Sequence, residues 1–195
     1  MNRTGRTLLA VALAGLLVPA GVRAEKRAMD LEKSRLTIRV YRAGFFSAFG
    51  HNHEVAAPLA AGMLELTPGP RVELRVDARK LRVLDPEASA DTRAKIQKTM
   101  EGPQVLDSSR FPEIAFRFSA AEKAGAAHWV VRGELTLHGQ THPVLVDVTE
   151  EKDGVYRGSA TLRQRDFGIK PVSLAGGTVK VKDEVKIEFE IVLRP

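Results

Sequence analysis

Apolar and polar residues alternate along eight separate segments of this chain, and a period of two is the pattern of β-strands with one buried face. In the run from Trp129 to Leu137, for example, Arg132, Glu134 and Thr136 separate apolar or small residues. Repetition of this pattern predicts an all-β protein. The eight segments lie near residues 36–40, 61–67, 72–76, 114–118, 129–137, 144–148, 156–162 and 185–193.

Short turns that contain glycine or proline join most of these segments, which favours an antiparallel meander. One region differs from the rest. Residues 85–106 lack alternation, with Pro86 near the start and Gly102 near the end, and this predicts an inserted helix of about three turns. Ile96 and Met100 are four residues apart, so we expect both to face the sheet.

Residues 1–24 are typical of a secretory signal peptide, with two arginines before an apolar stretch and small residues at the end. The apolar stretch from Leu8 to Val18 is too short for the alternative, a membrane anchor, because a spanning helix needs about 20 residues. We therefore expect one mature domain over residues 25–195 and a periplasmic or secreted location.

Composition excludes several classes of function. The absence of cysteine excludes a disulfide scaffold, thiolate metal sites and a cysteine nucleophile. The net charge of +6 falls to +3 without the leader, which carries three arginines and no acid, and no aromatic platform accompanies the basic residues. We therefore expect no nucleic-acid partner. The motifs of serine hydrolases, phosphate-binding loops and zinc proteases are also missing, so we expect no enzyme.

Eight amphipathic strands can close into a barrel or stack as a two-sheet sandwich. A barrel of about eight strands is either filled by its own side chains or holds one small ligand. Large rings are scarce on the expected inner face, which favours a hollow interior, but periodicity alone leaves the packed sandwich open. The large inner residues are Phe116, Phe118, Trp129, Tyr156 and Phe189.

From Asp30 onward the chain resembles the YceI family of exported proteins. The resemblance implies a lipocalin-like antiparallel barrel that encloses a long isoprenoid chain, such as a polyprenyl phosphate or a polyprenyl quinone. The sequence departs from the common pattern by a second histidine, His53 after His51, and by His142 where many relatives have a basic residue. The matching segments are 34–40, 49–53, 110–116, 133–139 and 166–169.

We predict a non-catalytic binding protein that needs no cofactor and that exchanges its isoprenoid ligand at a membrane surface. The tail would lie among inward residues, and the head group would lie near the histidines or an arginine that follows a strand. Three phenylalanines would cap one end or, equally well, fill it as ordinary core. The predicted ligand-binding residues are Ile38, Val40, Phe45, Phe46, Phe49, Phe116, Phe118, Trp129, Leu137, Arg165 and Phe167.

Histidine clustering suggests an alternative function. His51 and His53 are two residues apart and share a strand face, and His138 stands beside a turn. Three imidazoles suit Zn²⁺ or Cu²⁺, so the alternative is a metal-handling or redox-accessory protein. Satisfied structural histidines are the simpler interpretation, because the sequence does not bring the two groups together.

Overall fold

The computed structural model describes residues 26–43, 52–65, 70–152, 154–174 and 179–195, with the side chains of 174 and 179 left out. The predicted signal peptide therefore lies outside the described residues. So do four predicted site residues, Phe45, Phe46, Phe49 and His51.

The described chain forms twelve strands, so the predicted count of eight is too low. Each of the eight predicted segments overlaps a strand. The four additional strands have two to four residues each, too few to display an alternating pattern. The strands are β1 (Lys26–Ala28), β2 (Arg35–Ala43), β3 (His53–Ala56), β4 (Leu59–Glu65), β5 (Arg71–Asp77), β6 (Arg82–Val83), β7 (Glu113–Lys123), β8 (His128–Leu137), β9 (Gln140–Lys152), β10 (Val155–Arg163), β11 (Ser173–Leu174) and β12 (Val179–Val192).

All twelve strands belong to one antiparallel sheet, rather than to the two sheets of a sandwich. The order is β1-β4-β5-β7-β8-β9-β10-β12-β2-β3-β6, with β11 beside β12, and the sheet is curled into a half-barrel. Two links bring its ends together. Only Ala57 and Pro58 separate β3 from β4, and a bridge pairs Met29 with Leu193 at the end of β12.

The predicted inserted helix is α1 (Ala90–Glu101), which begins after Ser89, whose hydroxyl accepts from the Thr92 N–H. Met100 packs against the core as predicted, while Ile96 is half-buried. The Gln97 amide joins α1 to β6, because it accepts from the Val83 N–H and donates to the Leu81 carbonyl, both at 2.8 Å. No helix in the described part of the chain is long and apolar enough to cross a membrane.

One end of the half-barrel is closed by irregular chain. A 3-10 helix (Gln164–Phe167) follows β10 there, and Phe167 is only 2% exposed. Ile169 and Leu106 are buried with it in the same core cluster. The strand faces farther from this end are less well covered, because the inward residues Val144, Val146 and Val148 of β9 are only half-buried.

Candidate binding cavity

The curled sheet surrounds a cavity of about 530 Å³. Inward residues from every long strand line it, and nearly all are apolar. A cavity of this volume is in the range of small-molecule sites, and an apolar wall excludes strongly hydrated ligands. Its lining includes Leu36 and Ile38 of β2, Leu64 of β4, Leu74 of β5, Phe116 and Phe118 of β7, Trp129 and Val131 of β8, Val146 of β9, Ala160 of β10 and Phe189 of β12.

Two glycines leave space at the cavity wall for large aromatic rings. A Cβ at Gly133 would lie 2.3 Å from the Phe116 ring, and a Cβ at Gly158 would lie 2.5 Å from the Phe189 ring. Each ring therefore covers the bare backbone of the neighbouring strand. Because the rings occupy the space that inward side chains would fill, they remain at the wall and leave the centre open.

The cavity is elongated along the strands. On β8 it is lined from Trp129 to Leu135, and on β9 from Val144 to Glu150. Six residue steps along an antiparallel strand span roughly 20 Å, so the wall can accommodate a chain-shaped apolar ligand better than a compact one.

Within the described residues, the polar side chains of the cavity wall are Arg27, Glu150 and Tyr156. Glu150 and Tyr156 are ladder partners at the start of the β9–β10 pairing. The Arg27 guanidinium lies beside Gly154 of the adjoining turn, and its Nε donates to the Arg194 carbonyl at 3.3 Å. One cation and one anion therefore mark the polar end of an otherwise apolar cavity.

A family model described as a YceI-like domain matches residues 28–193, which is most of the chain. The chain belongs to the YceI family. A UPF0312 protein of Pseudomonas savastanoi is 38% identical over 104 residues, which are 48% of this chain and 54% of that protein, so the chain spans about half its length. A UPF0312 protein of Shewanella oneidensis is 27% identical over 169 residues, covering 80% and 83% of the two chains.

Solved YceI structures show the same fold. Burkholderia cenocepacia BcnA superposes with a TM-score of 0.65 at 21% identity, covering 84% of this chain and 98% of that one. A variant of the Campylobacter jejuni YCEI protein, solved with a monobromobimane guest, gives 0.51 at 12% identity, covering 69% and 80%.

In this YceI-family chain, the predicted residues Ile38, Phe116, Phe118 and Trp129 line the cavity. Four other predicted residues, Val40, Leu137, Phe167 and Arg165, do not line the cavity. Val40 and Leu137 lie on the same strand faces but beyond the cavity, toward the closed end, and neither is among its lining residues. Phe167 is buried in that end, where its ring meets His142 edge-on at 5.2 Å.

Arg165, the predicted head-group contact, is exposed in the 3-10 helix and does not line the cavity, and its N–H donates to Asp183 at 3.0 Å. It follows the far end of β10, whereas the polar cavity residue Tyr156 is the second residue of that strand. The two positions are roughly 25 Å apart along the strand.

The sequence interpretation missed Arg27 and Glu150. Arg27 precedes the first predicted strand and carries no alternation signal. Glu150 did carry one, because it continues the inward series Val144, Val146 and Val148 by one more step of two. Extending the period past the last valine would have placed this carboxylate on the inner face.

The two predicted metal-binding histidines that the structure describes, His53 and His138, have protein partners. His53 Nδ1 lies 2.6 Å from Asp85 Oδ2, and His138 Nδ1 lies 3.1 Å from the Phe167 carbonyl. His138 also contacts the Phe111 ring edge-on, with 4.6 Å between centroids. In the described ranges, no three histidine, aspartate or glutamate side chains are grouped to hold a metal ion.

A second, polar pocket of about 390 Å³ surrounds His53 and Asp85. Asp85 is 3% exposed and also accepts from the Glu54 N–H at 2.8 Å. Arg39 lies in the same pocket between Glu54 and Glu188, and these carboxylates raise the pKa of its guanidinium. No motif or alternation in the sequence indicates this pocket, because Asp85 pairs with a histidine 32 residues away.

Proposed function

We propose that this YceI-family chain is an exported, non-catalytic binding protein whose cavity encloses the tail of an amphiphilic isoprenoid, a polyprenyl phosphate or a polyprenyl quinone. The observation that supports the proposal is the elongated apolar cavity, about 530 Å³ in volume, inside the curled sheet. The leader-like residues 1–24 support export to the periplasm or the medium.

We also propose that the half-barrel closes into a lipocalin-like ring of eight long strands. β3 pairs with β2, and β4 pairs with β5. Because two residues separate β3 from β4, these four strands form a continuous wall. Closure removes free sheet edges and gives the tail an enclosing surface on all sides.

The binding energy comes from burial of the tail. Each CH₂ group removed from water contributes about 0.8 kcal/mol, and immobilising a flexible chain opposes this gain. The head group lies at the polar end, beside Arg27, Glu150 and Tyr156, where hydrogen-bonding groups meet the apolar wall.

A substitution that fills the cavity tests the proposal. Val72 lines the cavity, while its neighbour Glu73 points outward and is exposed. Val72→Phe should weaken binding of a polyprenyl benzoquinone at least tenfold, and Glu73→Phe should leave it within twofold. The quinone quenches the fluorescence of Trp129, the only tryptophan and a cavity residue, so a fluorescence titration measures both affinities.

Far-UV circular dichroism and the unfolding midpoint of each variant establish that it is folded. Binding that is equally tight in wild type and Val72→Phe would place the ligand outside the cavity. Failure of the wild type to bind polyprenyl quinones and polyprenyl phosphates alike would contradict the proposed function itself.

A further inference from the structure

The pairing between β9 and β10 stops halfway along both strands. The ladder runs from Val155–Lys152 to Ser159–Asp147 and then ends. β9 nevertheless extends back to Gln140, and β10 continues to Arg163. We call the unpaired edges, 140–146 of β9 and 160–163 of β10, the seam.

Each edge of the seam has a ladder partner only on its far side. β8 pairs with residues 140–149 of β9, and β12 pairs with residues 155–163 of β10. Within the described structure, no ladder pair joins the two edges to each other. Moving the edges apart therefore breaks side-chain packing but no ladder hydrogen bond, unlike separation of any two fully paired strands.

The seam leads directly into the cavity. Val144 and Val146 line the cavity from one edge, and Ala160 lines it from the other. On the outer surface of the same edge stands Leu145, which is 56% exposed and is the most exposed large hydrophobic residue described. Apolar side chains thus stand on both faces of the β9 edge, Leu145 toward solvent and Val144 and Val146 toward the cavity.

The closed end of the half-barrel limits the length over which the two edges of the seam can separate. The Phe167 ring contacts His142 of β9, and the Phe167 carbonyl hydrogen-bonds with His138. Because the 3-10 helix that carries Phe167 follows β10 directly, it ties the two edges together at this end. The remaining opening lies between residues 143–146 and residues 160–162.

We propose that the seam is a lateral entrance through which an isoprenoid tail passes between the cavity and a lipid surface, an inference that rests on the proposed function. Lengthwise entry past Arg27 and Glu150 would draw an apolar tail of roughly 20 Å through water. Each CH₂ group exposed to water on that route opposes entry. Sideways entry keeps the tail against Leu145 and the cavity wall instead.

A reversible cross-link across the seam, here called the lock, tests this entrance. Because the chain contains no cysteine, two introduced cysteines can be joined only to each other. Continuing the register of Ser159–Asp147 by one step of two places Leu145 opposite Thr161. Leu145→Cys with Thr161→Cys joins the edges by a disulfide, or by a bifunctional thiol reagent if the edges stand too far apart. The matched control is Asp147→Cys with Ser159→Cys, which joins the same strands where they are already paired.

The measurement is transfer of a polyprenyl benzoquinone from phosphatidylcholine vesicles, followed by quenching of Trp129. The lock at the seam should slow transfer at least tenfold, and cleaving the cross-link should restore the rate. The control lock should change the rate less than twofold. Protein loaded before locking should keep its quinone.

Transfer at the wild-type rate into the locked protein would overturn the lateral entrance and leave the proposed function intact. Absence of quenching in the unlocked wild type, by contrast, would contradict the proposed function and the entrance with it.

Discussion

Asp85 joins β3 to the chain that follows β6. Its two oxygens accept from His53 Nδ1 and from the Glu54 N–H, and the carboxylate is almost fully buried. Both donors belong to β3. The Asp85 carboxylate therefore accepts hydrogen bonds from β3 at a point where β6 has already ended and no longer pairs with it. A buried carboxylate in such a position contributes through the donors that it satisfies.

Asp85→Asn should destabilise the fold by about 1–3 kcal/mol, because the amide cannot accept from both donors with the strength of a carboxylate. Urea unfolding at neutral pH measures the difference. The exposed Glu134→Gln provides a control that should stay within about 0.5 kcal/mol. Equal effects of the two substitutions would show that the Asp85 contacts contribute no stability.

The carboxyl group of Asp77 makes stability depend on pH. Hydrogen bonds from the Arg79 side chain and N–H lower its pKa from 3.8 to about 2. A lowered pKa stabilises the folded state above the ordinary carboxyl pKa, and this contribution is lost as the pH falls toward 2.

Asp77→Asn should therefore lower the free energy of unfolding at pH 6 and have a smaller effect at pH 2. Unfolding curves of both proteins at the two pH values give the comparison, and carboxyl NMR titration gives the pKa directly. An effect of equal size at both pH values would contradict the assigned role of the Asp77 carboxylate.

Among the strands, β10 depends on the close approach that Gly158 allows. A Cβ at this position would lie 2.1 Å from the Asp147 carbonyl oxygen, a backbone atom of β9 that has little freedom to move. It would also contact the Phe189 ring. The absence of a side chain at Gly158 thus allows β9 and β10 to pair at the last residues of their ladder. It also leaves room for the Phe189 ring at the cavity wall.

Gly158→Ala should cost about 1–3 kcal/mol through overpacking, although it adds only a methyl group. Ala160→Val, two residues along the same face, adds two methyl groups toward open cavity space and should cost less than about 1 kcal/mol. Thermal unfolding of both variants tests this. A larger loss in Ala160→Val would mean that the cavity wall is already tightly packed.

Alternation predicted the eight long strands and the interrupted pattern predicted α1, because both are properties of ten or so neighbouring residues. β6 and β11 have two residues each and are defined by distant partners instead. Alternation also placed Ile38, Trp129 and Val40 on the inner face. It did not show that Ile38 and Trp129 line the cavity whereas Val40 lies beyond it, because that difference depends on distant residues. How far the cavity extends along a face depends on what closes each end, here Phe167 and its neighbours.

On the scale of the whole molecule, the YceI-like domain is a single curled sheet around an apolar hollow. Charged residues lie mostly on its outer face, where Arg39, Glu188 and Lys186 form a chain of ion pairs that lowers the pKa of Glu188. Among the described residues that line the cavity, the charged ones are Arg27 and Glu150, both at one end. This separation suits a molecule that hides an apolar tail while staying hydrated outside.

Isoprenoid binding in the cavity is tested most directly by mass spectrometry of organic extracts from protein purified from the compartment in which it works. If the cavity holds an isoprenoid tail, the wild type should carry a lipid with such a tail in near-stoichiometric amount, and Val72→Phe, purified in parallel, should carry at least tenfold less. Wild-type protein that repeatedly yields no isoprenoid lipid, or a Val72→Phe variant that carries as much as the wild type, would contradict isoprenoid binding in the cavity.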